Sequence, residues 1–188
     1  MSLATRKQQA RDRAKAVRAS LSANPRDFVR NWPGIEASSV IAGYWPIQNE
    51  ADVRPLMEKL ANAHRIVLPV TSRDRLRLSF RQWTPGCDME RGPFGTQHPV
   101  GTLSDGVDAL SPDVVMVPLL AFTRRGDRLG YGGGYYDATL AALKSENPTI
   151  RTVGVAYAGQ LVTTLPLEET DVPMDHILTE KGFMTTRL

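Results

Sequence analysis

Short apolar segments that alternate with amphipathic helical segments constrain the fold of this chain more than any other feature. The clearest apolar run, residues 114–117, consists of valine and methionine and is closed by Pro118. Weaker runs of the same kind occur at residues 40–44, 65–69, 152–156 and 177–178. Runs of this length and composition are typical of strands buried on both faces of a parallel sheet. The alternation predicts an α/β fold with a largely parallel sheet and helices on both of its faces.

The segments between these strands predict helices and one further strand. Apolar residues at helical spacing predict a first helix that ends at Asn24-Pro25, a short second helix that ends at Trp32, and helices at 53–60 and 135–144. Leucine and phenylalanine alternate with polar residues at 76–80, which predicts a half-buried strand, whereas residues 84–112 are rich in turns and show no period. No segment resembles a linker, so residues 1–188 are predicted to form a single domain.

Positive charge is concentrated at the start of the chain. The first 30 residues contain eight basic and two acidic residues and carry +6, and the rest carries −3, which gives the net charge of +3. An apolar stripe of the first helix consists of Leu3, Ala10, Ala14, Val17 and Leu21. A neighbouring stripe consists of Lys7, Arg11, Lys15 and Arg18. This pattern predicts an anionic partner near the N-terminus, and leaves a polymer, a membrane and a small phosphate ligand open.

Several classes of protein are excluded by the cysteine content and the hydropathy. The chain has one cysteine, Cys87, so no disulfide can form within it, which favours a reducing compartment. No stretch approaches the ~20 apolar residues of a membrane span, and the start lacks the apolar region of a secretory signal. We therefore expect a cytoplasmic protein without a membrane partner. A transit peptide, which is also rich in arginine and poor in acids, is the alternative interpretation of the first residues.

A glycine-rich loop at residues 124–137 carries the strongest functional signal. It follows a predicted strand and opens a predicted helix, so its backbone N–H groups and the helix N-terminus suit a phosphate, and its arginines add forked donors. Neither common phosphate motif fits. A Walker A motif that begins at Gly126 requires glycine at position 131, which is a tyrosine. A dinucleotide fingerprint that begins at Gly130 requires glycine at position 135, which is also a tyrosine. The loop therefore predicts an anion cradle of another type, with a flexible turn as the alternative.

Residues 117–122, together with the loop that follows them, resemble the signature of the 5-formyltetrahydrofolate cyclo-ligase family. Further similar segments occur in the same order along nearly the whole chain: Lys7 and Arg11, Tyr44-Trp45-Pro46 with Glu50 and Asp52, Phe94-Gly95 before Pro99, and Gln160, Leu165-Pro166, Asp171 and Asp175. The resemblance implies a three-layer α/β/α sandwich with a largely parallel, mixed central sheet, which agrees with the alternation of strands and helices.

The resemblance also implies a reaction. The family closes 5-formyltetrahydrofolate to 5,10-methenyltetrahydrofolate and splits ATP to ADP and phosphate, with Mg²⁺. In the family mechanism the formyl oxygen attacks the γ-phosphorus, N10 of the folate attacks the resulting iminium phosphate, and phosphate leaves. Such chemistry depends on positioning and on neutralising the charge of the transferred group. We expect a monomer that binds folate, ATP and Mg²⁺ and has no nucleic-acid partner.

Site residues follow from the resemblance position by position. The implied ATP contacts are Lys7, Arg11, Arg128, Leu129, Gly130, Tyr131, Gly132, Gly133, Gly134, Tyr135 and Tyr136. The implied folate contacts are Arg11, Trp45, Glu50, Phe94, Tyr131 and Tyr135. Arg128 and Tyr136 are expected to act in catalysis, and Asp137 and Asp171 to bind Mg²⁺, which favours carboxylates beside phosphates. Adjacent helical residues do not share a face, so at least one of Tyr135 and Tyr136 is expected to pack inward.

Each assignment has a structural alternative. Lys7 and Arg11 could belong to a solvated helix face, Glu50 could be a surface acid, and Asp137 could compensate the helix dipole. Trp45 and Phe94 could be core residues.

The chain departs from the family pattern at two places. Thr96, Gln97 and His98 follow Phe94-Gly95, where the family has an apolar residue and then Glu or Gln, and Gly133 replaces a lysine of some relatives. His98 is expected to be an ordinary loop residue. The departure leaves open a related enzyme with another substrate. A nucleic-acid-binding module that uses the basic N-terminus is a second competing hypothesis.

Overall fold

A seven-stranded mixed sheet forms the centre of the computed structural model, which describes residues 1–34, 39–101 and 111–186. The strands of this sheet are β1 (Val40–Ala42), β2 (Arg65–Val70), β3 (Ser79–Trp83), β6 (Val114–Pro118), β9 (Arg151–Val155), β10 (His176–Thr179) and β11 (Gly182–Thr185). Two short hairpins pair β4 (Met89–Arg91) with β5 (Gln97–Pro99) and β7 (Ala121–Phe122) with β8 (Arg128–Leu129). The α-helices of the described ranges are α1 (Leu3–Ala19), α2 (Pro25–Asn31), α3 (Arg54–Leu60) and α4 (Tyr135–Glu146).

The strand order β11-β10-β9-β6-β1-β2-β3 confirms the predicted α/β fold with a largely parallel, mixed sheet. The five inner strands run parallel, and the edge strands β3 and β11 are antiparallel to their neighbours. Met116 of β6 belongs to a core cluster that contains Phe28 of α2 and Leu56 of α3. The next residue, Val117, belongs to a second cluster that contains Leu140 of α4. Because alternate strand residues face opposite sides of a sheet, helices cover both faces and give three layers.

The direction in which the chain builds the sheet changes between β1 and β6. From β1 the chain passes through α3 to β2 on one side, and from β6 it passes through α4 to β9 on the other side. In open α/β sheets, a crevice at such a switch point, outside the carboxyl ends of the strands, holds the ligand. The topology therefore places the expected site where the chain leaves β1 and β6.

The strand predicted at 76–80 is displaced in the structure. The observed strand β3 begins at Ser79 and pairs with β2. The residues before it lie over α4 instead, because the Leu78 backbone N–H donates to the Thr139 hydroxyl at 2.9 Å. Leu76 is 54% exposed. The end of the predicted segment, Ser79 and Phe80, pairs in the sheet, whereas Leu78 contacts a helix.

The turn-rich segment 84–112 contains the hairpin β4–β5, which the sequence analysis did not predict. A 3₁₀ turn at Pro93–Gly95 joins its two strands. Each strand has only three residues, which is too short for a period of two to be recognised. Residues 102–110 of this segment lie outside the described residues. The strand β11 after the predicted strand at 177–178 was also missed.

The inner face of α1 combines part of the predicted apolar stripe, including the half-buried Ala10 and Ala14, with two buried cations. Val17 of that stripe is 45% exposed, whereas Lys7 and Arg18 are buried. Part of the basic stripe therefore faces the protein interior and part, including Lys15, faces solvent. Among the helices of the described ranges, none has the length and apolar character needed to cross a membrane.

Candidate active site

A cavity of about 1130 Å³ lies at the switch point, beside the carboxyl ends of β1, β2 and β6. Its walls include Tyr44 after β1, Thr71 after β2 and Pro118 at the end of β6. Pockets for one small molecule typically measure about 300–1,000 Å³. The cavity therefore has room for more than one ligand.

Every residue that the sequence analysis assigned to ATP, folate or Mg²⁺ lines this one cavity. These residues are Lys7, Arg11, Trp45, Glu50, Phe94, Arg128, Leu129, Gly130, Tyr131, Gly132, Gly133, Gly134, Tyr135, Tyr136, Asp137 and Asp171. They come from α1, the segment after β1, the β4–β5 hairpin, the loop from β8 to α4, and the segment before β10. Arg124 and Arg125 are exposed and do not line it. The structure brings the predicted residues together, and their individual roles stay predictions.

The glycine-rich loop forms a wall that consists largely of backbone. Gly132 and Gly134 have φ values of 98° and 72°, which glycine adopts without strain. A Cβ atom at Gly132 would lie 2.9 Å from Cζ of Arg11, so the missing side chain lets the guanidinium lie against the loop. The Arg11 Nε donates to the Gly130 carbonyl at 3.2 Å. Because α4 begins without a side-chain cap, its first N–H groups are available to an anion in the cavity.

Two ion pairs line the phosphate side of the cavity. Lys7 Nζ donates to both carboxylate oxygens of Asp171, at 2.9 and 2.7 Å, and lies 3.0 Å from Glu168 Oε2. Burial lowers the pKa of Lys7, but these two carboxylates outweigh it and raise the pKa, so the amine is charged. Arg128, whose side chain is 5% exposed, donates to Asp137 Oδ1. Two buried cations therefore line the cavity together with their counterions.

Asp137 and Asp171 both line the cavity, and both oxygens of Asp171 accept hydrogen bonds from Lys7. The Val172 backbone N–H donates to Asp137 Oδ1 at 3.0 Å, which ties the segment of Asp171 to the start of α4. Asp137 Oδ2 accepts no hydrogen bond from the described residues, so it can ligate a metal. The described part of the chain holds no cluster of three or more potential metal ligands. Mg²⁺ commonly takes one or two carboxylates and completes its shell with phosphate oxygens and water, so two aspartates suffice.

Glu50 is a buried carboxylate in the lining of the same cavity. It is 8% exposed, and its Oε2 accepts the Ile47 backbone N–H at 2.9 Å. Burial raises its pKa to about 7, although the Ile47 N–H, the Arg18 guanidinium and the Tyr131 hydroxyl each lower it. The backbone next to Glu50 is held by a tyrosine, because the Tyr44 hydroxyl donates to the Ala51 carbonyl at 2.7 Å. Glu50 is thus a fixed, buried acceptor rather than a surface acid.

Aromatic rings also line this cavity. Phe94, at the tip of the β4–β5 hairpin, is 65% exposed and has φ 61°, an unusual backbone conformation for a phenylalanine. Its ring lies 6.0 Å from that of Tyr135. Trp45 packs partly against the core, and the Arg54 guanidinium lies 5.5 Å from its ring. Tyr136 packs against the other core cluster, as predicted for one residue of the tyrosine pair.

Arg18 is a neighbour of the site that the sequence analysis did not assign. It is 2% exposed, and its Nη2 donates to the Tyr131 hydroxyl. A signal for it existed, because Arg18 lies seven residues after Arg11 and therefore on the same helical face. Glu168, the second partner of Lys7, was missed as well, and its position could not be read from local spacing.

His98 lies outside the cavity. It is buried in β5, where its Nδ1 is 3.2 Å from Arg81 Nη1 and 3.4 Å from Glu90 Oε1. The expectation of a loop residue was wrong, because His98 belongs to a strand. Thr96 and Gln97 do line the cavity. The departure from the family pattern therefore alters the cavity wall through two uncharged residues, and His98 gives no support to a different chemistry.

Comparison with known proteins identifies the family. The family model described as the 5-formyltetrahydrofolate cyclo-ligase family matches residues 3–180. The chain belongs to this family. It is 30% identical over 183 residues to the 5-formyltetrahydrofolate cyclo-ligase of Haemophilus influenzae, which covers 92% of this chain and 97% of the relative. It is 32% identical over 150 residues to the Escherichia coli K12 protein of the same name, which covers 79% and 81% of the two chains.

Solved structures agree with this membership of the cyclo-ligase family. The NMR structure of Aquifex aeolicus 5,10-methenyltetrahydrofolate synthetase matches with a TM-score of 0.75 and 28% identity, covering 97% of this chain and 93% of that chain. The Mycoplasma pneumoniae 5,10-methenyltetrahydrofolate synthetase has the same fold, with a TM-score of 0.66 and 24% identity. The predicted family and the predicted α/β fold are both confirmed.

Proposed function

We propose that this protein converts 5-formyltetrahydrofolate to 5,10-methenyltetrahydrofolate, using ATP and Mg²⁺ and releasing ADP and phosphate, as a cytoplasmic monomer. One observation carries the proposal: a glycine-rich phosphate cradle and a buried acceptor carboxylate with aromatic neighbours meet in a single cavity. Membership of the cyclo-ligase family supports the same reaction.

The phosphate side of the cavity has the parts that phosphoryl transfer needs. Backbone N–H groups of the glycine-rich loop and the N-terminus of α4 hold the triphosphate, and Arg11 lies against that loop. Arg128 supplies a buried guanidinium that neutralises charge as it develops on the γ-phosphoryl group. Tyr136 adds a hydroxyl beside it, and Lys7 adds a second cation. Nearly all of this is positioning and electrostatics.

The folate side orients the pterin ring. The carboxylate of Glu50 accepts hydrogen bonds from pterin N–H groups, which a carboxylate can pair in a bidentate way. Trp45, Phe94, Tyr131 and Tyr135 cover the ring, and Arg11 lies between the two ligands. This placement directs the formyl oxygen toward the γ-phosphorus.

The proposed reaction has two steps, phosphorylation of the formyl oxygen and closure of the ring. The formyl oxygen bonds to the γ-phosphorus while the bond from that phosphorus to the bridging oxygen of ADP breaks. N10 then attacks the formyl carbon and loses its proton, and the carbon–oxygen bond breaks. The released phosphate therefore carries the former formyl oxygen.

An isotope experiment tests this sequence of steps. With 5-formyltetrahydrofolate labelled with ¹⁸O at the formyl group, one labelled oxygen is expected in each released phosphate, measured by mass spectrometry. Release of unlabelled phosphate at the rate of folate turnover would show that water, and not the formyl oxygen, attacks the γ-phosphorus.

Asp137 and Asp171 would hold Mg²⁺, which would neutralise phosphate charge. Replacement of Asp137 by asparagine is expected to raise the Mg²⁺ concentration needed for half-maximal turnover by about tenfold or more, because a charged ligand is lost. Affinity for 5-formyltetrahydrofolate, measured by fluorescence titration, is expected to change by less than about twofold. If the variant lost affinity for Mg²⁺ and for 5-formyltetrahydrofolate by the same factor, Asp137 would instead have a structural role.

Gly132 offers a test of the phosphate cradle. The Gly132→Ala variant is expected to bind ATP about tenfold more weakly, since its Cβ would displace Arg11 and its φ of 98° would strain the loop. Gly86→Ala is the matched control, because Gly86 also has a positive φ of 80° but its Cβ would contact nothing. The control should lose stability without losing ATP affinity. ATP binding unchanged in Gly132→Ala, measured by calorimetry, would argue against the cradle.

A further inference from the structure

Arg18 is a buried cation that stands behind the folate side of the cavity. It projects from α1, is 2% exposed, and does not line the cavity itself. Its Nη2 donates to the Tyr131 hydroxyl, and its Cζ lies 5.2 Å from the centre of the Tyr131 ring. Tyr131 does line the cavity, so Arg18 can act on the site only through another residue.

The guanidinium of Arg18 is not neutralised locally. Within the described residues, no carboxylate lies in ion-pair distance of it, and its Nε and Nη1 are buried without a hydrogen-bond partner. A buried charge of this kind is costly unless it interacts with an opposite charge nearby. The carboxylate on which its charge acts is Glu50, and the Tyr131 hydroxyl interacts with both groups.

The Tyr131 hydroxyl therefore links Arg18 to Glu50. The guanidinium donates to the tyrosine oxygen, which leaves the tyrosine O–H to act on the Glu50 carboxylate. The other titratable side chains that face Glu50 from neighbouring elements are Tyr44, Tyr136 and Tyr157. Those three are neutral tyrosines, whereas Arg18 is a cation whose charge acts on Glu50.

We propose that Arg18 is a positioning residue for folate recognition, which acts through the Tyr131 hydroxyl to keep Glu50 ionised and oriented toward the cavity. The inference rests on the proposed function, because it assumes that Glu50 binds the pterin. It also connects the two ligand sites, since Tyr131 belongs to the glycine-rich loop that would hold ATP.

The protonation state of Glu50 near neutral pH depends on the charge of Arg18. Burial already raises the pKa of Glu50 to about 7 with Arg18 in place, and the arginine charge lowers it. Without that cation the carboxyl binds its proton more tightly, so the pKa rises further and the neutral acid prevails near neutral pH. A protonated carboxyl has one fewer acceptor oxygen for pterin N–H groups.

The first test needs no ligand. In protein labelled with ¹³C at glutamate side chains, the titration midpoint of Glu50 is expected to rise by about one pH unit in Arg18→Met. Arg13→Met, an exposed position on the same helix, is the matched control and should leave the midpoint unchanged. An unchanged midpoint in Arg18→Met would overturn the proposal, whatever reaction the protein catalyses. If that variant fails to fold, Tyr131→Phe, which removes the bridging hydroxyl, should raise the midpoint as well.

The second test measures the consequence for the reaction. The acid limb of the pH profile of kcat/KM for 5-formyltetrahydrofolate is expected to move to higher pH by the same amount in Arg18→Met, with recovery at alkaline pH. A purely structural role would lower kcat/KM by a constant factor at all pH values, and that result would contradict the proposal. Arg18→Lys, which retains the charge, should restore most of the wild-type profile.

Discussion

Replacing Arg128 with methionine is expected to lower turnover by about a thousandfold, while 5-formyltetrahydrofolate still binds within about twofold of the wild-type affinity. The side chain is 5% exposed and donates to Asp137 Oδ1, so both its charge and its direction are fixed. Burial lowers the pKa of Arg128 overall, although the carboxylates of Asp137 and Asp171 offset part of this effect and the guanidinium remains charged. Its loss removes a positive group from the transferred phosphoryl and leaves Asp137 without its partner. Steady-state kinetics and fluorescence titration measure the two effects separately.

Two further variants control for this effect. Arg125→Met removes the same charge from the same loop at an exposed position and is expected to keep nearly full activity. Arg128→Lys keeps the charge but loses the forked geometry, so an intermediate loss is expected. If Arg128→Met and Arg125→Met were equally active, Arg128 would have no part in catalysis.

Replacing Glu50 with glutamine is expected to raise the KM for 5-formyltetrahydrofolate about a hundredfold and to change the pH dependence of stability. The first effect follows from the loss of a charged acceptor for the pterin, which contributes about 1.5–3 kcal/mol per hydrogen bond to a charged group. The second follows from burial, which raises the pKa of Glu50 from 4.5 to about 7. The folded state then binds the proton more tightly than the unfolded state.

The sign of the stability effect is therefore definite. The contribution of Glu50 is present below about pH 4.5 and is lost as the pH rises to about 7. The loss amounts to roughly 3 kcal/mol in the free energy of unfolding. In Glu50→Gln this part of the pH dependence should vanish, as measured by urea unfolding below, within and above that range. If wild type and variant gave parallel pH curves, burial would not raise the pKa of Glu50 in the folded protein.

The sequence predicted the location of the site better than the interactions inside it. The loop at 124–137 follows a buried strand and opens a helix, and these local features determine the conformation of the backbone there. The partners of its residues are distant in sequence: Arg18 reaches Tyr131, and Lys7 reaches Asp171, which lies 164 positions away. No spacing rule connects residues so far apart, so these two contacts required the structure.

In the fold too, elements with a strong local pattern were predictable and elements that depend on long-range contacts were not. The strand β6 was predictable because four consecutive apolar residues are closed by Pro118. The hairpin β4–β5 was not, because its strands have three residues each and their pairing depends on the chain around Phe94. The burial of Lys7 and Arg18 on α1 was not predictable, because these cations share the inner face with small apolar residues and are buried by contacts to other elements.

The most direct test of the proposed reaction is the absorbance of its product. Purified protein that is mixed with 5-formyltetrahydrofolate, ATP and Mg²⁺ is expected to produce the strongly absorbing 5,10-methenyltetrahydrofolate, with one ADP formed for each methenyl group. Omission of ATP or chelation of Mg²⁺ should abolish the absorbance change. If the folded protein binds both ligands but the complete mixture forms no methenyl product, this chain is not a cyclo-ligase, although it has the fold of the family.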